Sequence, residues 1–220
     1  KCGVKADEIR FAIDMANRTT DKITIIVSDI DNMSASARNL LLKITEEPPK
    51  NVNFIMTIED EMTLPATILS RATVFKMDTY SSSELVEFAK AEFPLINPEE
   101  VDLVMNICTT PGDVKSLLAI GVIEFWEYVN KVADNIMDVS TANSFKIISR
   151  IAKKPDDEGY DLRLFWRAFM LVCSERIKDD IIKYADWIKI TSNHLQMLRI
   201  QGVNIQMLFD SWIIDIRSIL

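Results

Sequence analysis

The chain has 220 residues, 48% of them hydrophobic and 26% charged, enough apolar material for a packed core and a composition that excludes a disordered chain. Its 25 basic and 33 acidic residues leave a net charge of −8, so the overall field repels phosphate and any nucleic-acid contact has to be local. One histidine, His194, excludes histidine triads and multi-histidine metal sites; three scattered cysteines (Cys2, Cys108 and Cys173) fit a reducing compartment better than a disulfide framework or a zinc site.

No apolar run approaches the roughly 20 residues that a bilayer span needs. Lys1-Cys2-Gly3-Val4-Lys5 is not followed by the apolar core of a signal peptide, so a cytoplasmic location and no membrane partner are expected. Residues 5–18 read as an amphipathic helix, with Ile9, Ala12, Ile13 and Ala16 at helical spacing. Ile23–Val27 is an unbroken β-branched run, expected as a strand covered on both faces of a parallel sheet. Ser34 is the expected N-cap of a helix through Ala37, Leu40, Leu41 and Ile44 that Pro48-Pro49 stops. Phe54–Ile58 reads as a second strand and Thr73–Met77 as a third, an alternation that implies an α/β sheet.

From Tyr80 onward the pattern is helical. Ser81-Ser82-Ser83-Glu84 has capping-box spacing ahead of Leu85, Phe88 and Ala89. Asn97-Pro98-Glu99-Glu100 places an N-cap, a first-position proline and acids in the first turn of the next helix. Pro111-Gly112 is expected to break that helix, with Asp113 opening another through Val114, Leu117 and Leu118. Beyond Gly121 the spans Val122–Met137, Ala142–Ala152, Leu162–Ile188 and Asn204–Leu220 read as longer amphipathic helices, with an exposed turn over 154–159. Their aromatics, among them Phe125, Trp126, Phe165, Trp166, Phe169, Trp187, Phe209 and Trp212, are expected in a core or at an intersubunit face. His194, in the polar run Thr191-Ser192-Asn193-His194, reads as a surface or cap residue.

Three blocks carry a family resemblance. They are Asn39-Leu40-Leu41-Leu42-Lys43, Glu46-Glu47-Pro48-Pro49 and Leu64-Pro65-Ala66-Thr67-Ile68-Leu69-Ser70-Arg71-Ala72. Their order and spacing resemble the clamp-loader branch of the AAA+ ATPases. The resemblance implies an α/β plus all-α architecture. A partial AAA+ parallel-sheet domain would occupy 1–79, a three-helix lid 80–120, and a helical collar through which subunits oligomerise 121–220.

An ATPase of this class needs a glycine-rich loop followed by Lys and Ser or Thr to cradle phosphate. The five glycines (Gly3, Gly112, Gly121, Gly159 and Gly202) never take that spacing, and the resemblance places the Walker A strand and loop before residue 1. Walker B needs two acids, one for Mg²⁺ and one for the attacking water. An ungapped alignment puts Ser28 and Asp29 there; a one-residue gap puts Asp29 and Ile30 there. Either way one acid is lost. Asp29 and Asp31 also read as turn and cap residues ahead of the Ser34 helix.

The sensor 1 position falls on Ile58 or Glu59, neither of which can donate to a phosphate. Sensor 2 corresponds to Lys115, which keeps charge but not the bidentate fork of arginine. These departures imply a weak home site, a subunit that does not hydrolyse ATP and a chain with no cofactor of its own. Arg71 keeps its chemistry. In the family it acts in trans, on the phosphate of ATP and Mg²⁺ held by a neighbouring subunit, and Ser70 and Thr67 would cap the turn presenting it. Arg38 and Lys43 lie on the helix that resembles the family's DNA-facing one, with Arg38 the candidate contact. The implied partners are the gamma/tau-type ATPase and delta subunits of a DNA polymerase III clamp loader, and through them the sliding clamp and primer–template DNA. The alternatives are a gamma/tau-type subunit that itself hydrolyses ATP and a purely structural adaptor.

Overall fold

A computed structural model describes residues 4–18, 21–30, 33–48, 50–58, 64–138, 161–198, 200 and 203–219. The helix expected over 142–152, the turn over 154–159, and Asp31 and Glu59 lie outside them. The described chain is mostly helical, with one two-stranded parallel sheet, and divides into Lys1–Met77 and Asp78–Leu220.

In the first unit, α1 (Ala6–Asn17) precedes β1 (Ile23–Val27), and α2 (Ala35–Glu46) crosses over to β2 (Val52–Met56). The strands run parallel with Ile23 opposite Val52 and Val27 opposite Met56. Ser34 caps α2 by accepting from the Ala37 N–H at 3.2 Å, as its sequence position predicts. β2 begins and ends two residues before the expected Phe54–Ile58, because its ladder partner runs only from Ile23 to Val27. Ile9 from α1 and Ala37, Leu41 and Ile44 from α2 bury against Val27 and against the half-buried Ile25, Phe54 and Met56. That covers one face of the sheet. The other face carries Ile26 and Ile55, 66% and 52% exposed, so the expectation of two covered faces does not hold among the described residues. Nor is Thr73–Met77 a strand. The described sheet holds only β1 and β2, and without a ladder neighbour Phe75 and Met77 stand exposed.

The second unit holds α4 (Ser82–Glu92), α5 (Pro98–Ile107), α6 (Pro111–Ile120), α7 (Val122–Asn135), α8 (Leu162–Glu175), α9 (Ile181–Met197) and α10 (Ile205–Arg217). It takes in the spans read as lid and as collar, and one buried cluster runs from Leu85 to Ile216. Helix α8 is buried nearly all round, with Leu162, Leu164, Phe165, Trp166, Ala168, Phe169, Val172 and Cys173 inside, packed chiefly against α5, α7 and α9. The aromatics expected in core or interface are core at Phe125, Phe165, Trp166, Phe169, Trp187, Phe209 and Trp212; Trp126 is half-buried.

Three sequence expectations change here. Leu162–Ile188 is two helices, because Asp180 caps a new one by accepting from the Lys183 N–H at 3.0 Å. Pro111-Gly112 lies inside the first turn of α6, not before it: Thr110 is the N-cap and Asp113 closes a capping box. His194 is buried, 4% exposed, on the face of α9 that meets α10, with Nδ1 3.0 Å from the Ile190 carbonyl and Nε2 3.4 Å from the Asp215 carboxylate.

Candidate functional site

The chemistry-bearing residues gather where β1 and β2 end and on the turn after α3 (Ala66–Leu69). C-terminal ends of parallel strands are where α/β sheets place ligands. Here the chain leaves β1 through Ser28 and Asp29. Asp29 has φ 52°, the left-handed region that aspartate enters more readily than most residues. Its N–H donates to Thr57 Oγ1 at 3.1 Å, while the Ile30 N–H donates to the Thr57 carbonyl at 3.1 Å. Thr57 therefore ties the strand ends together, a role the sequence reading missed. Its position as the polar residue closing the apolar run Phe54-Ile55-Met56 was the available signal.

Ser28 and Asp29 are exposed, whereas Ile30 is 1% exposed and packed in the core with Met33 and Leu41. Under either alignment one exposed carboxylate stands at the strand end. Ile58 is half-buried against the same core, and its side chain has no polar atom to offer a phosphate. Lys115, in the second unit, lies 3.3 Å from the Glu92 carboxylate with its ammonium 5.5 Å from the Phe88 ring centroid, so its charge is engaged within that unit. No group of three or more His, Cys, Asp or Glu residues able to hold a metal occurs among the described residues.

Arg71 follows α3, which Pro65 opens with its preset φ. Ile68, 1% exposed, pins the turn to the first unit's core, and the Ser70 N–H continues the helix to the Ala66 carbonyl at 2.9 Å. The Ser70 hydroxyl and Arg71 Nη1 both donate to the carbonyl of Thr67, at 3.1 and 2.7 Å. Thr67 thus supports the arginine through its backbone, not through a capping hydroxyl. The Arg71 side chain is 38% exposed, and its Nη2 lies 3.6 Å from Glu46 Oε1 at the end of α2. Two of the three family-like blocks therefore meet in space, at Glu46 and Arg71. The sequence reading noted both and did not pair them. Arg38 is half-buried on α2, and Lys43 is exposed on the same helix.

A family profile described as "DNA polymerase III, delta subunit" matches residues 5–81. The DNA polymerase III subunit gamma of Buchnera aphidicola subsp. Schizaphis graminum is 33% identical over 89 residues, covering 39% of this chain and 24% of that protein. The DNA polymerase III subunit tau of Bacillus subtilis is 28% identical over 162 residues, 70% of this chain and 28% of that protein. Matched segments thus span about a quarter of the length of these curated relatives. Among solved structures, a DNA polymerase III gamma subunit-related protein of Thermotoga maritima aligns with 98% of this chain and 80% of its own, at 16% identity and TM-score 0.47. Residues 5–81 are a DNA polymerase III delta-subunit-like domain, related to the gamma and tau clamp-loader subunits.

Proposed function

We propose that the chain belongs to a delta-prime-type subunit of a bacterial DNA polymerase III clamp loader, which supplies Arg71 to the ATP site of a neighbouring gamma/tau-type subunit and does not hydrolyse ATP itself. The observation that carries this reading is the contrast between two places in one domain. At the strand ends, Asp29 is the one acid where two are needed, paired with Ser28 or Ile30 according to the alignment, and Ile58 brings no side-chain donor for a phosphate. At the α3 turn, Arg71 is anchored through Thr67 and still presents its guanidinium to solvent. A fixed positive charge brought to the transferring phosphoryl group is what an arginine finger contributes, worth about 10³ to 10⁵ in rate. Ser70 is a positioning residue, donating to the same carbonyl that Arg71 uses. ATP and Mg²⁺ would sit in the neighbour, and the delta subunit, sliding clamp and primer–template DNA would be met through the complex. Arg38 remains the candidate DNA contact.

The test is ATP turnover by the gamma/tau-type subunit in a reconstituted loader containing either wild-type chain or Arg71→Ala. The expected result is a loss of about 10³-fold or more at the site that Arg71 faces; unchanged turnover sinks the proposal and leaves a structural adaptor.

The named relatives, gamma and tau subunits, favour a second reading in which this subunit itself hydrolyses ATP. Titrating Mg-ATP against the full-length subunit separates the two. Hydrolysis by it alone supports the second reading.

A further inference from the structure

We propose that Glu46 is an autoinhibitory partner of Arg71: it holds the guanidinium on its own subunit until the phosphate of a neighbour's nucleotide displaces it. The inference rests on the finger reading above and adds a regulatory residue to it. Arg71 uses its two terminal nitrogens for different tasks. Nη1 donates to the Thr67 carbonyl at 2.7 Å, a neutral contact within the same turn that fixes the direction of the side chain. Nη2 faces the Glu46 carboxylate at 3.6 Å. A carboxylate and a phosphate present the same kind of charged oxygen acceptor to a guanidinium. While Glu46 occupies that side, a phosphate has to compete for it. The contact is also poised to exchange. Arg71 and Glu46 are 38% and 53% exposed, so water and ions screen the pair. Exposed pairs of this kind shift an equilibrium by only about two- to fivefold. Glu46 ends α2, and Arg71 follows the short α3, which packs against α2, so both groups are set by the same domain core. Loss of Glu46 leaves the Thr67 contact intact, and the finger stays aimed while its competitor is gone.

The experiment uses the full-length subunit in a loader reconstituted with its gamma/tau-type ATPase, with ATP as probe and no DNA. Turnover is compared for wild type, Glu46→Gln, Glu46→Ala, Arg71→Ala and the Glu46→Gln/Arg71→Ala double variant. Both Glu46 variants are expected to raise kcat about two- to fivefold, the range an exposed ion pair commands. The double variant is expected to be as slow as Arg71→Ala alone, because Glu46 acts only through the arginine. A merely structural role for Glu46 would move the single and double variants alike. If Arg71→Ala slows turnover while the Glu46 variants leave it unchanged or lower it, the autoinhibitory role is overturned and the finger reading stands. An increase that persists in the double variant also overturns it. If Arg71→Ala has no effect, both fall.

Discussion

The side chains with the clearest energetic roles lie away from the strand ends. Asp113 accepts from the Thr109 N–H at 3.0 Å and from Arg167 Nη1 at 2.7 Å, joining the start of α6 to α8. Burial alone would raise its pKa, but the Thr109 bonds and the Arg167 guanidinium more than offset it, and the carboxyl lies below its ordinary 3.8. A carboxyl depressed on folding adds stability that is complete above its unfolded pKa and is lost as pH falls through the folded value. Asp113→Asn is therefore expected to cost about 1.5–3 kcal/mol at neutral pH, the range for a hydrogen bond to a charged group. Denaturant titrations should show the gap between wild type and variant closing as the medium becomes strongly acidic; a gap independent of pH would contradict it. Cys108 and Cys173 belong to the same buried setting. Burial pushes both thiols up to about 12, so they stay protonated and inert near neutrality. At this scale the sequence was legible where a residue type has one local job, as with Ser34 at the cap of α2. It was not legible where the partner is remote in sequence, as with His194 and Asp215 or Glu46 and Arg71, because no local pattern records a tertiary contact.

Elements were read best where caps are chemically explicit. Ser81 with Glu84 and Asn97 with Glu100 both close capping boxes at the expected positions. Asp180 carries the same information but was lost inside a continuous apolar periodicity running from Leu162 to Ile188. The interface of α9 with α10 has its own hydrogen-bond chain: Trp212 Nε1 donates to Thr191 Oγ1 at 2.9 Å, and that hydroxyl donates to the Trp187 carbonyl at 2.7 Å. Trp187 Nε1 in turn donates to the Ile216 carbonyl at 3.2 Å. Thr191→Val keeps the volume and strands the Trp212 N–H in a fully buried site. It should lower stability by about 1–3 kcal/mol by chemical denaturation. Trp212→Ala, which also empties the space against Phe165 and Phe169, should cost about 3–5 kcal/mol. A smaller loss for the tryptophan than for the threonine would refute this ordering. The missing third strand has an element-level cause: β propensity at Thr73–Met77 cannot make a strand without a neighbouring ladder.

Across the whole chain, two cores are built by different means. The first is a half-covered sheet with two helices and the α3 turn; the second is a helical cluster around α8. All four tryptophans (Trp126, Trp166, Trp187 and Trp212) belong to the second unit. Tryptophan fluorescence should therefore follow that unit alone, while far-ultraviolet circular dichroism follows both. Thermal transitions by the two probes are expected not to coincide, and a single shared transition would show that the units unfold as one. That a small parallel sheet precedes a helical part was legible because strand and helix periods differ. The exposed face with Ile26 and Ile55 was not, because a β-branched run reads the same whether one face or two are covered. The proposal at stake is that this chain completes a neighbour's active site while its own strand ends keep only one of the two needed acids. The most direct measurement is the kcat and KM for ATP of the neighbouring subunit in loaders carrying Arg71, Arg71→Lys or Arg71→Ala. A transition-state role predicts that kcat falls by about 10³-fold or more for Ala with KM little changed, and that Lys restores only part of it, having charge without the fork; equal kcat for all three would contradict it.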